Sequence, residues 1–152
     1  MNRSLLGVAF AAALMSSAVW AAGAQEASGP VLDESHFLQA AEQAVKDGDS
    51  DGAVQLYHSA IIYAPGDPVP YEQLAEFYVH NSQPELAQQF FALALDAQPA
   101  YPPALRGLAL LDLAAGNRAG AQAQHEILLH ACGTSCPETA QVEKALNTGT
   151  SP

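Results

Sequence analysis

Apolar residues recur at intervals of three and four along most of the chain, and the pattern itself repeats. Tyr71, Leu74, Ala75 and Tyr78 form one stripe; Leu86, Ala87, Phe90, Phe91, Ala94 and Leu95 form the next. At 3.6 residues per turn, that spacing gathers the apolar side chains on one face, so each stretch predicts an amphipathic helix and leaves no place for strands. The stripes return at a fixed step along the chain. Phe37, Tyr71 and Leu105 are related by this step, as are Ala41, Ala75 and Ala109; Ala53, Ala87 and Ala121; Tyr57, Phe91 and His125; and Ile61, Leu95 and Leu129. Pro65 and Pro99 share it, and so do Pro68 and Pro102. Gly48, Ser82 and Gly116 fall at the same place in each unit and mark the turn between its two helices.

The small residues have a packing role in this scheme. Ala41 with Ala53, and Ala75 with Ala87, are expected where the two helices of a unit cross, so that the backbones approach closely. Tyr57 or Phe91 then fills the space toward the next unit. Gly48 ends the first helix, residues 49–51 offer capping oxygens to the second, and Pro84 suits a first helical position, where its missing N–H costs nothing. Ser135-x-x-Glu138 with Pro137 reads as a capping box opening a last helix that reaches about Leu146.

This pattern resembles the tetratricopeptide repeat (TPR) family. Tyr71-x2-Leu74-Ala75-x2-Tyr78, Ala87-x3-Phe91-x2-Ala94 and Pro99 fill the family motif, with Ala75 in place of its glycine. The first unit keeps Phe37, Ala41, Ala53, Tyr57, Ala60 and Pro65, with Ala44 in the second aromatic slot; the third keeps Leu105, Leu108, Ala109 and Ala121. Asp112, His125, Leu128 and Gly133 depart from the motif, as a terminal repeat can. The resemblance implies an all-α, right-handed solenoid of about three helix-turn-helix repeats, at 34–67, 68–101 and 102–135. A capping helix at 136–146 covers the last apolar face. A flexible segment at 25–33 precedes the repeats and a disordered tail at 147–152 follows them.

The chain opens differently. Arg3 supplies a positive start, residues 5–19 are apolar or small, and Ala22-Gly23-Ala24 suits signal peptidase. Residues 1–24 are therefore expected to be an export signal cleaved near Ala24, with Val19-Trp20-Ala21 as a second cleavage option, and the product to be periplasmic. The alternative is an uncleaved anchor, because the apolar stretch approaches the ~20 residues that span a bilayer. No cysteine precedes residue 132, which excludes an acylated lipoprotein cysteine.

Composition narrows the function further. Sixteen Asp and Glu against five Lys and Arg give a formal charge of −11, and only Lys46, Arg106, Arg118 and Lys144 are basic beyond Arg3. Such a chain cannot neutralise a run of phosphates, and an anionic membrane surface repels it. Cys132 and Cys136 are the only cysteines; an even number in an exported chain predicts a disulfide. Three residues intervene between them, where a redox pair usually has two. His125 and His130 join them in a short cluster that invites a metal or redox reading. Five residues, however, set the two histidines about 140° apart around a helix, and His125-Glu126-x3-His130 is one residue too long for the zinc-protease motif. No nucleophile elbow or phosphate-cradling loop occurs. The expectation is a protein without catalytic residues, metal or cofactor.

In the family the chain resembles, the first helix of each unit lines a concave, partner-binding surface. By register this implies Leu38, Glu42 and Val45 from the first unit, Glu72, Glu76 and Val79 (with His80 beside it) from the second, and Arg106, Leu110 and Leu113 from the third. Glu72 and Glu76 lie one turn apart on a face expected to be solvated. The cationic and amide residues with which chaperone-binding relatives clamp a terminal carboxylate are missing here. The implied partner is a protein or peptide, apolar with one or two basic residues. A short array with an exposed end also allows self-association.

Overall fold

The computed structural model describes residues 33–148. Seven α-helices follow one another: α1 (Glu34–Asp47), α2 (Ser50–Tyr63), α3 (Pro68–His80), α4 (Pro84–Ala97), α5 (Pro102–Ala114), α6 (Arg118–Cys132) and α7 (Pro137–Thr148). No strand occurs among the described residues. Residues 1–24, with the expected export signal, lie outside the described residues, as do 25–32 and 149–152. Among the described residues no helix is long and apolar enough to cross a membrane.

Local chemistry sets the helix ends. Asp33, Asp49, Asp67 and Asn117 each accept a hydrogen bond from a backbone N–H of the first turn of α1, α2, α3 and α6. Such a bond satisfies a donor that the helix leaves without an internal partner. Asp33 therefore belongs to the helical array and not to a flexible leader. Pro68, Pro84 and Pro102 open α3, α4 and α5. Between the paired helices, Gly48, Ser82 and Gly116 all take positive φ (79°, 56° and 78°), so the repeat period governs backbone conformation as well as side chains.

The helices pack as three hairpins, α1 with α2, α3 with α4 and α5 with α6, and successive hairpins meet through α2–α3 and α4–α5. Ala41, Ala53, Ala75, Ala87, Ala109 and Ala121 are all 0% exposed, which places the repeated alanines at the expected crossings. Two apolar clusters result. The first is built around Tyr57, Leu74, Phe77, Tyr78 and Phe91 and the second around Leu105, Leu128, Val142 and Leu146, with Leu95 touching both.

The seventh helix differs from its expected form in two respects. It begins at Pro137 with the Cys136 carbonyl accepting from the Ala140 N–H, so the cap is Cys136 and the Ser135 box stands one residue too early. Proline fits the first helical position, which sets the boundary there. The helix also runs through Asn147 to Thr148, so these two residues are not part of a disordered tail. Its end, Thr148, lies one full repeat step after Ala114, the end of α5, and it packs on both α5 and α6. The capping helix thus stands where the first helix of a fourth unit belongs. Val142 and Leu146 bury its inner face, and Arg118 of α6 donates to the Leu146 carbonyl at 2.8 Å.

Candidate functional site

The repeat step sorts the expected surface into three columns: Leu38, Glu72 and Arg106; Glu42, Glu76 and Leu110; Val45, Val79 and Leu113. The structure treats them differently. The second and third columns line a chain of hollows. A cavity of about 310 Å³ between α1 and α3 is lined by Glu42 and Val45, Gln73, Glu76, Phe77 and His80, with Tyr57 of α2 at its base. A tighter hollow of about 150 Å³ between α3 and α5 is lined by Glu76, Val79, Phe91, Gly107, Leu110 and Ala114. A third, between α5 and α7, is lined by Leu110, Leu113, Ala114, Arg118, Ala145 and Thr148. Glu76 borders the first two, and Leu110 and Ala114 border the last two. The hollows therefore form one strip across the first helix of every unit, with α7 as its far wall.

The first column does something else. Leu38 is drawn onto the apolar cluster and lines a separate hollow with Tyr63, Ala64 and Asp67, away from Glu42 and Val45. Glu72 and Arg106 line none of the three hollows of the strip. Arg106 donates to Glu76 Oε1 at 2.5 Å and stands 3.7 Å from Glu72, and these are the only ion pairs among the described residues. The side chains of Glu72, Glu76 and Arg106 are 14%, 31% and 23% exposed. The two carboxylates are thus not a solvated pair, because α5 covers that face of α3 and brings a guanidinium to it.

Burial pushes the Glu72 carboxyl up to about 7, and the nearby Glu76 charge adds to the effect. Arg106 pulls the other way, while Glu138 of α7 pushes up again. The guanidinium fails to offset burial because its close hydrogen bond goes to Glu76. Near neutrality, then, Glu72 is partly protonated and Glu76 is neutralised by Arg106. Of the three expected groove acids, only Glu42, exposed on α1, has no ion-pair partner.

Gln73, Phe91, Gly107, Arg118, Ala145 and Thr148 also line the strip, beyond the residues expected from register. The signal for the last two was present, since they stand one repeat step after Leu111 and Ala114. Around the other cluster, the Cys132 and Cys136 sulfurs lie side by side as a close pair. His125 is half-buried and His130 exposed. Among the described residues no three His, Cys, Asp or Glu side chains gather so as to hold a metal ion.

No protein-family model and no curated protein sequence matches the chain. Solved structures do. The first TPR domain of Spaghetti (RPAP3) bound to the HSP90 peptide SRMEEVD superposes with a TM-score of 0.66 at 19% identity, covering 79% of this chain and 100% of that one. The Sgt2 TPR domain from Aspergillus fumigatus gives 0.65 at 23% identity, over 76% of each chain. The Yersinia enterocolitica type III secretion translocator chaperone SycD gives 0.65 at 15% identity, over 76% of this chain and 88% of that one. The chain has the TPR fold.

Proposed function

We propose that this protein is a non-catalytic interaction scaffold of the bacterial periplasm, holding a segment of a partner protein along the strip formed by α1, α3, α5 and α7. The observation that carries this reading is the continuity of the three hollows, each bordered by apolar side chains and each sharing a wall with the next. A strip of linked hollows suits a chain segment better than a small compact ligand. The similarity to a TPR domain bound to a peptide supports the same use of the surface. That peptide, SRMEEVD, is acidic. Here the strip carries Glu42, which has no ion-pair partner, and Glu76, which Arg106 engages through Oε1 alone, so the partner of this protein is apolar with one or two basic residues. Export rests on the pattern of residues 1–24, and the pairing of the two cysteines fits an oxidising compartment.

Crosslinking and affinity capture from the cell envelope test the reading, with the double variant Val79→Asp/Leu110→Asp as control. Both positions are exposed in the strip, so the fold is expected to survive, as helical circular dichroism will show. A partner captured by the wild type and lost with the variant supports the scaffold; an identical set of partners removes the strip as the binding surface.

A further inference from the structure

Deepening that reading and resting on it, we infer that the strip recognises an extended partner segment in which one lysine or arginine stands two or three residues from one aliphatic residue. The cation enters the α1–α3 cavity and the aliphatic side chain enters the α3–α5 hollow.

The first cavity is built for a long side chain with a cationic head. Its lining includes the buried aromatic rings of Tyr57 and Phe77 with the exposed Val45, along which a methylene stem can lie. Its rim carries the Glu42 and Glu76 carboxylates, from different helices. A second feature points the same way. Gln73 also lines this cavity, and its Oε1 is buried and accepts no hydrogen bond. A buried acceptor without a donor is costly, and an ammonium or guanidinium brings several donors at once. Among the described residues no cation serves the site: Arg106 binds Glu76 through one oxygen, Oε1, and Glu42 has no ion pair.

The second hollow is of the opposite character. Apart from Glu76 at its edge it is lined by Val79, Phe91, Gly107, Leu110, Leu111 and Ala114, and its volume of about 150 Å³ admits one aliphatic side chain. The absence of a side chain on Gly107 admits the tip of the Phe91 ring, which forms part of the wall. The spacing of the pair follows from the helices. The two hollows flank α3 and share Glu76, so they are separated by about one interhelical distance, ~8–10 Å. An extended chain advances ~3.3 Å per residue, which sets the two side chains two or three residues apart. Among the described residues a second copy of this chain is a poor source of the pair, because Arg106 and Arg118 are engaged by Glu76 and the Leu146 carbonyl, and Lys46 and Lys144 lie within helices and not in an extended segment.

The test uses the purified protein and a positional-scanning library of acetylated, amidated heptapeptides, which carry no terminal charge. Retained peptides are expected to be enriched in Lys or Arg at one position and in Val, Leu or Ile two or three positions away. Glu42→Lys, at an exposed site, is expected to weaken the selected peptide about tenfold and to shift the cationic position toward Asp or Glu. Ala114→Phe, which fills the second hollow, is expected to remove the aliphatic preference and leave the cationic one. Enrichment unchanged by either variant overturns the assignment of that subsite. Retained peptides without the pair overturn this inference and leave the scaffold reading standing, whereas an absence of any retained peptide overturns both.

Discussion

The tip of the Phe91 ring stands where a side chain on Gly107 would have to be placed. Phe91 is 0% exposed and lies in the core of the middle unit, while Gly107 is in the first helix of the next. This contact lets α5 approach α4 closely, and both residues line the hollow proposed for an aliphatic side chain.

Gly107→Ala therefore tests packing and helix preference against each other. Alanine gains up to about 1 kcal/mol in a helix interior relative to glycine. Forcing a methyl group against a buried ring costs about 1–3 kcal/mol. The expected outcome is a net loss of about 1–2 kcal/mol, read as a lower urea midpoint with an unchanged slope. A midpoint equal to or above the wild type would show that the α4–α5 interface is looser than the contact implies.

Glu72 makes stability depend on pH in a definite direction. In the folded chain its carboxyl keeps a proton up to about pH 7; its ordinary value is 4.5. Between these values the folded state holds more protons than the unfolded state, so this residue makes stability fall as pH rises from about 4.5 to 7 and level off above. Glu72→Gln, an uncharged mimic of the protonated form, is expected to match the wild type near pH 4.5 and to melt at a higher temperature at about pH 8. Melting curves across that range check it. Parallel pH profiles for the two proteins would mean that Glu72 titrates normally.

Cys132 and Cys136 bracket the turn between α6 and α7, with the Thr139 hydroxyl 3.7 Å from the Cys132 sulfur. A bond between them closes a loop of only five residues, which on the chain-entropy estimate contributes about 2 kcal/mol. The buried Val142 and Leu146 and the Arg118 bond hold α7 independently. Thiol titration of the unreduced protein is expected to find no free thiol. Cys132→Ser/Cys136→Ser is expected to lose about 2 kcal/mol of stability while keeping its helix content. Two free thiols in protein recovered from the envelope would remove the disulfide.

Much of the fold was legible in the sequence because a repeat states the same packing problem several times. Alanines recurring at the same place in every unit could only serve one purpose at each recurrence, and Gly48, Ser82 and Gly116 share a backbone conformation that their spacing alone announces. That the second and third columns line one strip of hollows followed from that register. The fate of the first column did not. Periodicity tells which way Glu72 points from its own helix, but not that α5 brings Arg106 across it or that α7 adds Glu138. Leu38 was misplaced for the same reason, its neighbours Tyr63 and Asp67 coming from beyond its own helix. The charge of the groove was overcounted in consequence. A carboxylate's ionisation depends on burial and on charges from other elements, and only the packing of the helices brings those together.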